Sequence, residues 1–242
     1  MWKKKIYIKG NLSPFALSRT KIDLFIDCRK CFYNEIVRGI KRPQGPPMAL
    51  NNAVIYNIKN EFQDYRELDK RHEILSNLGK DFVFAKNTEL NDWKNVFKGI
   101  RYIHKNTNLE LFGTIDELWF NKKEQTYSVV SIKATSKKEE LNLEDIPSNY
   151  WRQLSFYHYL LKKNNFRVSD SGYIIYCNAI KNTKRFGSRL MFSTNLFSNN
   201  LRYDWIEEKL SEIFEILQGH NHPPPSRNCK YCEYVNLTNL KI

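Results

Sequence analysis

The apolar pattern along the chain is most regular over residues 109–134, where two apolar and β-branched runs flank a polar segment. The runs cover about residues 109–120 and 126–134, and every residue of the intervening segment 121–125 is polar. Two such runs joined by a short polar segment are typical of a β-hairpin. We therefore predict a hairpin of two antiparallel strands at this point of the chain.

Two charged residues interrupt the apolar character of this hairpin. Asp116 lies in the middle of the first predicted strand, where an unpaired carboxylate is costly to bury. Lys133 lies near the end of the second strand, and Ser131 shares its face because side chains two positions apart point the same way. An antiparallel return can bring Asp116 to this face. The result is either a structural ion pair or part of an active site, and the hairpin alone leaves both open.

Further segments predict helices and strands on both sides of the hairpin. Apolar residues recur at helical spacing in four segments, and two shorter runs are apolar enough for strands. We predict helices after Ser18 and at about residues 48–75, 150–163 and 201–217, and strands at about residues 172–179 and 189–194. This order predicts a single α/β domain over residues 1–242, in which helices flank a mixed central sheet.

Two of these helices carry polar residues that are candidates for a site. Gln153 and Tyr157 lie four positions apart in the predicted helix at 150–163, so they share one face of it. Glu61 lies close to the apolar stripe of the predicted helix at 48–75. Taken alone, a Gln and a Tyr on an aromatic helix are packing or capping groups, and a helix glutamate is a solvated charge.

The composition is that of a globular protein with a large excess of basic residues. Hydrophobic residues make up 41%, aromatic residues 14%, and the formal net charge is +13. No run approaches the roughly 18 apolar residues of a membrane span, and the basic N-terminal sequence lacks the apolar core of a secretory signal. We therefore expect no membrane insertion and a cytoplasmic location. The charge favours a polyanionic partner such as nucleic acid, incidental solvated charge being the alternative.

The cysteines indicate a metal site. Four of the five form two CxxC pairs, Cys28 with Cys31 and Cys229 with Cys232. In a cytosolic chain such pairs favour metal ligation over disulfides, and together they offer four sulfur ligands to zinc or to an iron–sulfur cluster. Segments 18–40 and 223–234 would then be joined by the metal, and we call these two segments the cysteine clasp. The alternative is that the two cysteine pairs are unrelated. Cys177 lies in an apolar run and is expected in the core.

Taken in order, these residues resemble the motifs of the PD-(D/E)XK nuclease superfamily. Gly113-Thr-Ile-Asp116 matches GxxD, Ser131-Ile-Lys133 stands where (D/E)xK is usual, and Gln153-Leu-Ser-Phe-Tyr157 matches QxxxY. The resemblance is to the RecB-like branch and to the CRISPR-adaptation nucleases that carry iron–sulfur clusters. It spans about residues 18–234.

The resemblance implies a restriction-endonuclease-like core and a Mg²⁺- or Mn²⁺-dependent deoxyribonuclease that hydrolyses phosphodiester bonds. Asp116 and the backbone carbonyl of Ile132 would bind the catalytic metal. Lys133 would orient the attacking water or stabilise charge on the phosphate. Gln153 and Tyr157 would position the DNA backbone, single- or double-stranded.

The resemblance also implies further components. Glu61 would be an additional carboxylate of the site, with the solvated helix charge as its alternative. The four cysteines would hold a 4Fe–4S cluster, with Zn²⁺ as the alternative. Besides DNA, the implied partners are proteins of DNA repair, recombination, or phage- and CRISPR-related processing.

Ser131 departs from the family pattern, which has Asp or Glu at this position. A neutral hydroxyl binds Mg²⁺ less well than a carboxylate, and Lys133 loses its ion-pair partner. Three explanations remain open. Either the site is degenerate in a non-catalytic DNA-binding or structural module, or the chain is a variant in which the ligand has been replaced. Alternatively, another carboxylate takes the role of this ligand: Glu61, Glu117 or one of Glu139–Glu140. A different class of function is a basic scaffold that binds a protein partner.

Overall fold

The computed structural model describes residues 6–137, 141–219 and 221–238. Glu139 and Glu140, two of the carboxylate candidates, lie outside these ranges. Over the described residues, the strands and helices in chain order are β1 (Phe15–Ser18), α1 (Arg19–Asp27), α2 (Arg29–Ile36), α3 (Ala49–Glu67), β2 (Phe82–Phe84), α4 (Leu90–Lys94), β3 (Ile100–His104), β4 (Leu109–Gly113), β5 (Glu117–Asn121), β6 (Thr126–Thr135), α5 (Ser148–Lys163), β7 (Ser171–Ala179), β8 (Phe192–Asn200), α6 (Asp204–Gln218) and α7 (Lys230–Leu237).

The chain divides into two compact units. The terminal unit comprises Met1–Pro46, Arg101–Phe112 and Asp204–Ile242, and the central unit comprises Pro47–Ile100 and Gly113–Tyr203. The sequence gives no composition break at these boundaries, and the single domain over 1–242 stays a prediction.

The central unit is built on a five-stranded mixed sheet in the order β2-β5-β6-β7-β8. β6 and β7 run parallel, whereas the β2–β5, β5–β6 and β7–β8 pairs are antiparallel. Helices α3 and α5 both pack against β6. The predicted α/β class with helices around a mixed sheet is therefore confirmed, and Cys177 lies in the core as predicted.

Strand β6 has two differently used faces. Val130 and Ile132 belong to an apolar cluster of buried residues that also contains Phe62 of α3. The intervening residues Ser131 and Lys133 point to the opposite face, because side chains alternate along a strand. One strand thus contributes to both the core and the polar group described below.

The predicted first hairpin strand, residues 109–120, is wrong in one respect: it is two strands. β4 ends at Gly113 and belongs to a three-stranded sheet in the order β1-β4-β3, while β5 begins at Glu117 in the five-stranded sheet. Asp116 lies immediately before β5 and not in the middle of a strand. The sequence conceals this break because Leu111, Ile115 and Leu118 are all fully buried, which keeps the run apolar throughout.

In the terminal unit, β1 pairs in parallel with β4, and α1 packs against β1, α2 and α6. None of the helices in the described ranges has the length and apolar character needed to cross a bilayer.

Candidate active site and cysteine cluster

Asp116 lies at the centre of a polar group in the central unit. Its Oδ2 accepts hydrogen bonds from the Ser131 hydroxyl at 3.0 Å and from the Ile132 backbone N–H at 3.1 Å. Its Oδ1 lies 2.7 Å from Nζ of Lys59, which belongs to α3. Burial would raise the pKa of Asp116, but the charges of Lys59 and Lys133 and the hydrogen bonds outweigh burial and lower it. Asp116 is therefore a carboxylate at neutral pH.

Lys133 connects this group to helix α5. Its Nζ donates to Oε1 of Gln153 at 2.9 Å and lies 4.6 Å from the centroid of the Tyr150 ring, as in a cation–π contact. Gln153 is buried, so water has little access to this hydrogen bond. The structure thus brings together four of the predicted site residues, Asp116, Ser131, Lys133 and Gln153.

Tyr157, one turn after Gln153 on α5, packs on Gly113. A Cβ added at Gly113 would lie 2.6 Å from Cε1 of the Tyr157 ring, closer than carbon atoms can approach. The first residue of the GxxD motif is therefore a glycine because the ring of the QxxxY tyrosine occupies the space of a side chain. This contact sets the distance between the residues before Asp116 and helix α5.

The Ile132 carbonyl faces the side of the strand on which Asp116 lies. In a strand the N–H and C=O of one residue point to the same edge, and the Ile132 N–H bonds to Asp116. β5 pairs with β6 only as far as Glu117 opposite Val130. The carbonyl predicted to assist in metal binding thus lies beyond the β5 pairing, on the edge near the carboxylate.

Glu61 is not brought to this group, whereas Lys59, which the sequence did not single out, is. Residues two apart on an α-helix are rotated by about 200°, so Lys59 and Glu61 point in nearly opposite directions. Glu61 pairs instead with Nε2 of His72 at 3.1 Å. Finding Lys59 from the sequence would have required knowing which side of α3 meets β6.

Glu117, another carboxylate candidate, is committed to a separate buried pair of cations. Its Oε1 accepts from Arg66 and its Oε2 from Lys94 at 2.7 Å, and the side chain is completely buried. As the neighbour of Asp116 in an extended chain, it points to the other side. It does not take the place of the carboxylate that Ser131 replaces.

Among the described side chains of this group, Asp116 is the one carboxylate, and it is already paired with Lys59. Mg²⁺ is bound through carboxylates, usually with substrate phosphates completing its shell. Over the described ranges, the cysteines are the only set of three or more acidic, histidine or cysteine side chains placed to share one ion. Asp116 instead has two lysines close enough to lower its pKa, so the group carries one negative and two positive charges. A net positive charge repels a metal ion and attracts a phosphate.

The four paired cysteines converge in the terminal unit, as predicted for the clasp. Each pair begins at the residue that precedes a short helix: Cys28 precedes α2, and Cys229 precedes α7. The four Sγ atoms all lie within 4.8 Å of one another, and the described contacts measure 3.8 Å (Cys28 to Cys232), 3.7 Å (Cys31 to Cys229) and 3.5 Å (Cys31 to Cys232). None of the four is in a disulfide. The cluster could bind a metal.

The surroundings of the cluster shift the pKa values of its thiols in opposite directions. Burial opposes ionisation of Cys28, but hydrogen bonds from the Ser226 and Cys31 backbones and from neighbouring thiols outweigh it and lower the pKa to about 6. Burial raises the pKa of Cys31 to about 11, although hydrogen bonding to Arg42 and Cys232 opposes the rise. Arg42 donates to Sγ of Cys229 at 3.2 Å and offsets part of the negative charge.

Comparison with known proteins adds one match. A family model of the PD-(D/E)XK nuclease superfamily matches residues 51–237, which is most of the chain. No curated protein sequence matches the chain significantly. The matched span contains Asp116, Lys133, Gln153 and Tyr157 as well as the second cysteine pair.

Proposed function

Because the chain belongs to the PD-(D/E)XK nuclease superfamily, we propose that it binds the DNA backbone at the Asp116 group without cleaving it efficiently. The match and the mixed sheet confirm the predicted restriction-endonuclease-like fold class. The observation that carries the proposal is the ion pair of Lys59 with Asp116, in a site where Ser131 replaces an acidic ligand.

The polar donors of the site suit a phosphate. Lys59 and Lys133 offer ammonium groups, and hydrogen bonds to ionised groups are about twice as strong as neutral ones. Gln153 already binds Lys133, and Asp116 already binds Lys59. Both ammonium groups are therefore ordered before a phosphate binds, and binding costs little further side-chain entropy. The formal net charge of +13 adds a general attraction to a polyanion.

The second candidate is the metal-dependent nuclease implied by the resemblance. It is favoured by the convergence of Asp116, Lys133, Gln153 and Tyr157 at one place in a fold whose members generally use a divalent metal. On this alternative, Asp116 would exchange Lys59 for Mg²⁺ or Mn²⁺, and Asp116 and the Ile132 carbonyl would hold the ion. The ion would polarise the phosphoryl group and lower the pKa of the attacking water.

A cleavage and binding experiment separates the two candidates. Labelled single-stranded and duplex DNA is incubated with the wild type, Asp116→Ala, Ser131→Asp and Ser131→Asp/Lys59→Ala in Mg²⁺, in Mn²⁺ and in EDTA. Ser193→Asp, an exposed serine on β8, is the matched control for an added carboxylate. We expect the wild type to bind DNA equally well in EDTA without cutting it, and the double variant to gain metal-dependent cleavage.

Efficient wild-type cleavage in Mg²⁺ or Mn²⁺ that Asp116→Ala abolishes would establish the second candidate. Absence of DNA binding by the wild type at low salt would contradict both candidate functions. The remaining candidate would then be a basic scaffold that binds a protein partner.

For the cysteines, we infer that a single zinc ion is the bound metal and not a 4Fe–4S cluster. Four sulfurs at about 2.3 Å from one zinc ion lie about 3.8 Å apart, close to the distances of 3.5 to 3.8 Å found here. In a cluster each cysteine binds a different iron atom, which places the sulfurs farther apart. Zinc would join the segments before α2 and α7 and supply folding energy to the terminal unit.

Metal analysis of protein purified without oxygen tests this inference. We expect a colourless protein with one zinc per chain, lost in Cys31→Ser. A brown protein with iron and sulfide would establish the cluster, and absence of both metals would remove the metal clasp.

A further inference from the structure

The loop between β7 and β8 is a basic and apolar projection of the central unit. It comprises residues 180–191, which we call the β7–β8 loop. The Ile180 N–H donates to the Met191 carbonyl at 2.8 Å and closes its base. Every residue of the loop is exposed to solvent.

The loop carries a concentrated positive charge that the protein itself does not neutralise. Its four basic residues are Lys181, Lys184, Arg185 and Arg189, and it contains no acidic residue. Their side chains form no hydrogen bond or ion pair with any residue in the described ranges, whereas many other basic residues, such as Lys59 and Arg66, are paired. Unpaired clustered charge is costly through mutual repulsion, so it indicates an anionic partner.

The same loop presents large apolar side chains to water. Phe186 is 66% exposed and Met191 60% exposed. Gly187 and Ser188 have φ angles of 52° and 56°, and the Arg189 N–H donates to the Phe186 carbonyl at 3.0 Å. Phe186 thus lies at the start of a tight turn, with Arg185 before it and Arg189 after it in the sequence. An aromatic ring between basic residues is the arrangement that binds unpaired nucleotides.

The position of the loop relates it to the Asp116 group. β6 and β7 are parallel, with Lys133 opposite Tyr176 and Thr135 opposite Asn178, so both strands end at the same edge of the sheet. The backbone N–H of Lys137 donates to Oδ1 of Asn178 at 2.8 Å. The β7–β8 loop therefore begins at the edge at which β6 carries Lys133. A backbone held at Lys133 can continue along this edge to the loop.

We propose that the β7–β8 loop binds single-stranded nucleic acid, with its basic residues on the phosphates and Phe186 stacked on an unpaired base. This inference rests on the proposed binding of DNA at the Asp116 group and assigns the strand preference that the sequence leaves open. An anionic membrane surface would also attract a basic loop with apolar side chains. The shared sheet edge with Lys133 favours nucleic acid.

The test measures the affinity of the full-length protein by fluorescence anisotropy. The probes are a labelled single-stranded DNA oligonucleotide and the corresponding blunt duplex, over a series of salt concentrations. The variants are Phe186→Ala and Lys184→Glu/Arg185→Glu. Matched controls are Phe97→Ala, another exposed aromatic of the central unit, and Lys122→Glu/Lys123→Glu, in the β5–β6 turn at the opposite end of β6.

We expect Phe186→Ala to weaken single-strand binding by about 5- to 150-fold, the usual effect of losing one stacked base, and to leave duplex binding unchanged. The double charge reversal should reduce the slope of log affinity against log salt by about 1.4 or more, because each phosphate contact to a single strand contributes about 0.7. Both controls should bind as the wild type does.

Wild-type DNA binding that neither loop variant alters would overturn the role of the loop while leaving the proposed function intact. Equal loss of single-strand and duplex affinity in Phe186→Ala would overturn the stacking. Binding to vesicles of phosphatidylcholine and phosphatidylserine tests the membrane alternative. If the loop variants weaken vesicle binding but not DNA binding, the partner of the loop is an anionic membrane surface and not nucleic acid. Unchanged melting temperatures in all variants exclude misfolding as the cause of any loss.

Discussion

At the scale of single residues, the carboxylates around β5 have different partners that determine what each can do. Asp116 has one oxygen on Lys59 and the other on Ser131 and Ile132, at a site with partial access to solvent. Its neighbour Glu117 is completely buried between Arg66 and Lys94. The first carboxylate can exchange its partners for a ligand, whereas the second is part of the structural core.

We expect Glu117→Gln to destabilise the protein by about 3–5 kcal/mol, because removing one partner of a buried ion pair leaves uncompensated charge, here two cations. Urea unfolding followed by circular dichroism measures the change. Glu124→Gln, in the exposed β5–β6 turn, is the matched control and should lie within about 0.5 kcal/mol of the wild type. A small effect of Glu117→Gln would mean that water reaches Arg66 and Lys94.

We expect Gly113→Ala to cost about 1–3 kcal/mol, because the added methyl group overlaps the Tyr157 ring and must displace it. Combining it with Tyr157→Leu, which removes the ring edge from that space, should cost less than the sum of the two single changes. Thermal or urea unfolding of the four proteins gives the interaction energy. Strict additivity would show that the glycine is required for a different reason.

The residues of the site show what the sequence could and could not predict. Asp116 and Lys133 were identified as charges in an apolar hairpin, and Ser131 and Gln153 through the motif resemblance. The structure brings these four residues together. Lys59 was not identified, because its role depends on which face of α3 meets β6. That contact is made between segments distant in the sequence, and helical periodicity gives only the apolar side.

At the scale of elements, helix α5 places a neutral histidine against the sheet. His158 is completely buried, and its Nε2 accepts a hydrogen bond from the Val129 backbone N–H at 3.0 Å. Burial lowers its pKa to about 4. The protonated ring could not accept this bond, so α5 and β6 are held together by the neutral form.

Stability should therefore fall as the pH decreases from about 6.5 to about 4. In that interval the unfolded state binds a proton at His158 and the folded state does not, so lowering the pH favours unfolding. The full effect is about 3 kcal/mol, from about 1.4 kcal/mol per pH unit. In His158→Gln, which keeps an acceptor but does not titrate, this part of the pH dependence should disappear. Equal slopes for the two proteins in urea unfolding would contradict the assignment.

Most elements agree with the sequence prediction, and the exceptions have physical causes. The predicted helix at 150–163 and strand at 172–179 correspond to α5 and β7 within two residues. The helix predicted over 48–75 ends instead at Glu67, followed by a short 3₁₀ helix at Glu73–Leu78. The predicted strand at 109–120 divides at Gly113 because the chain changes sheets, and fully buried residues on both sides leave no polar signal.

At the scale of the whole molecule, the cysteine cluster joins parts of the chain that are distant in sequence. Cys31 and Cys229 are 198 positions apart and lie 3.7 Å from each other at their sulfurs. A metal held by all four cysteines would stabilise the fold, because its site does not exist in the unfolded chain. The sequence indicated this connection because two CxxC pairs need each other for four ligands, but it did not indicate the division into two units.

We expect removal of the metal to lower the melting temperature by at least about 5 °C, because each 1 kcal/mol of lost stability is worth about 2–4 °C in a protein of this size. Melting curves with and without a strong chelator measure the shift. Cys31→Ser should melt at the lower temperature in both conditions, and Cys177→Ser should retain the chelator response. A chelator-independent melting temperature in the wild type would contradict a structural role for the metal.

The alternating use of β6 has a consequence for length variation among homologues. Val130 and Ile132 lie in the core, while Ser131 and Lys133 lie in the polar group. Inserting or deleting one residue between the β5–β6 turn and Lys133 would exchange these two sets, because side chains alternate along a strand. Homologous proteins should therefore differ in length within the exposed β7–β8 loop and keep a constant spacing from residue 126 to residue 133.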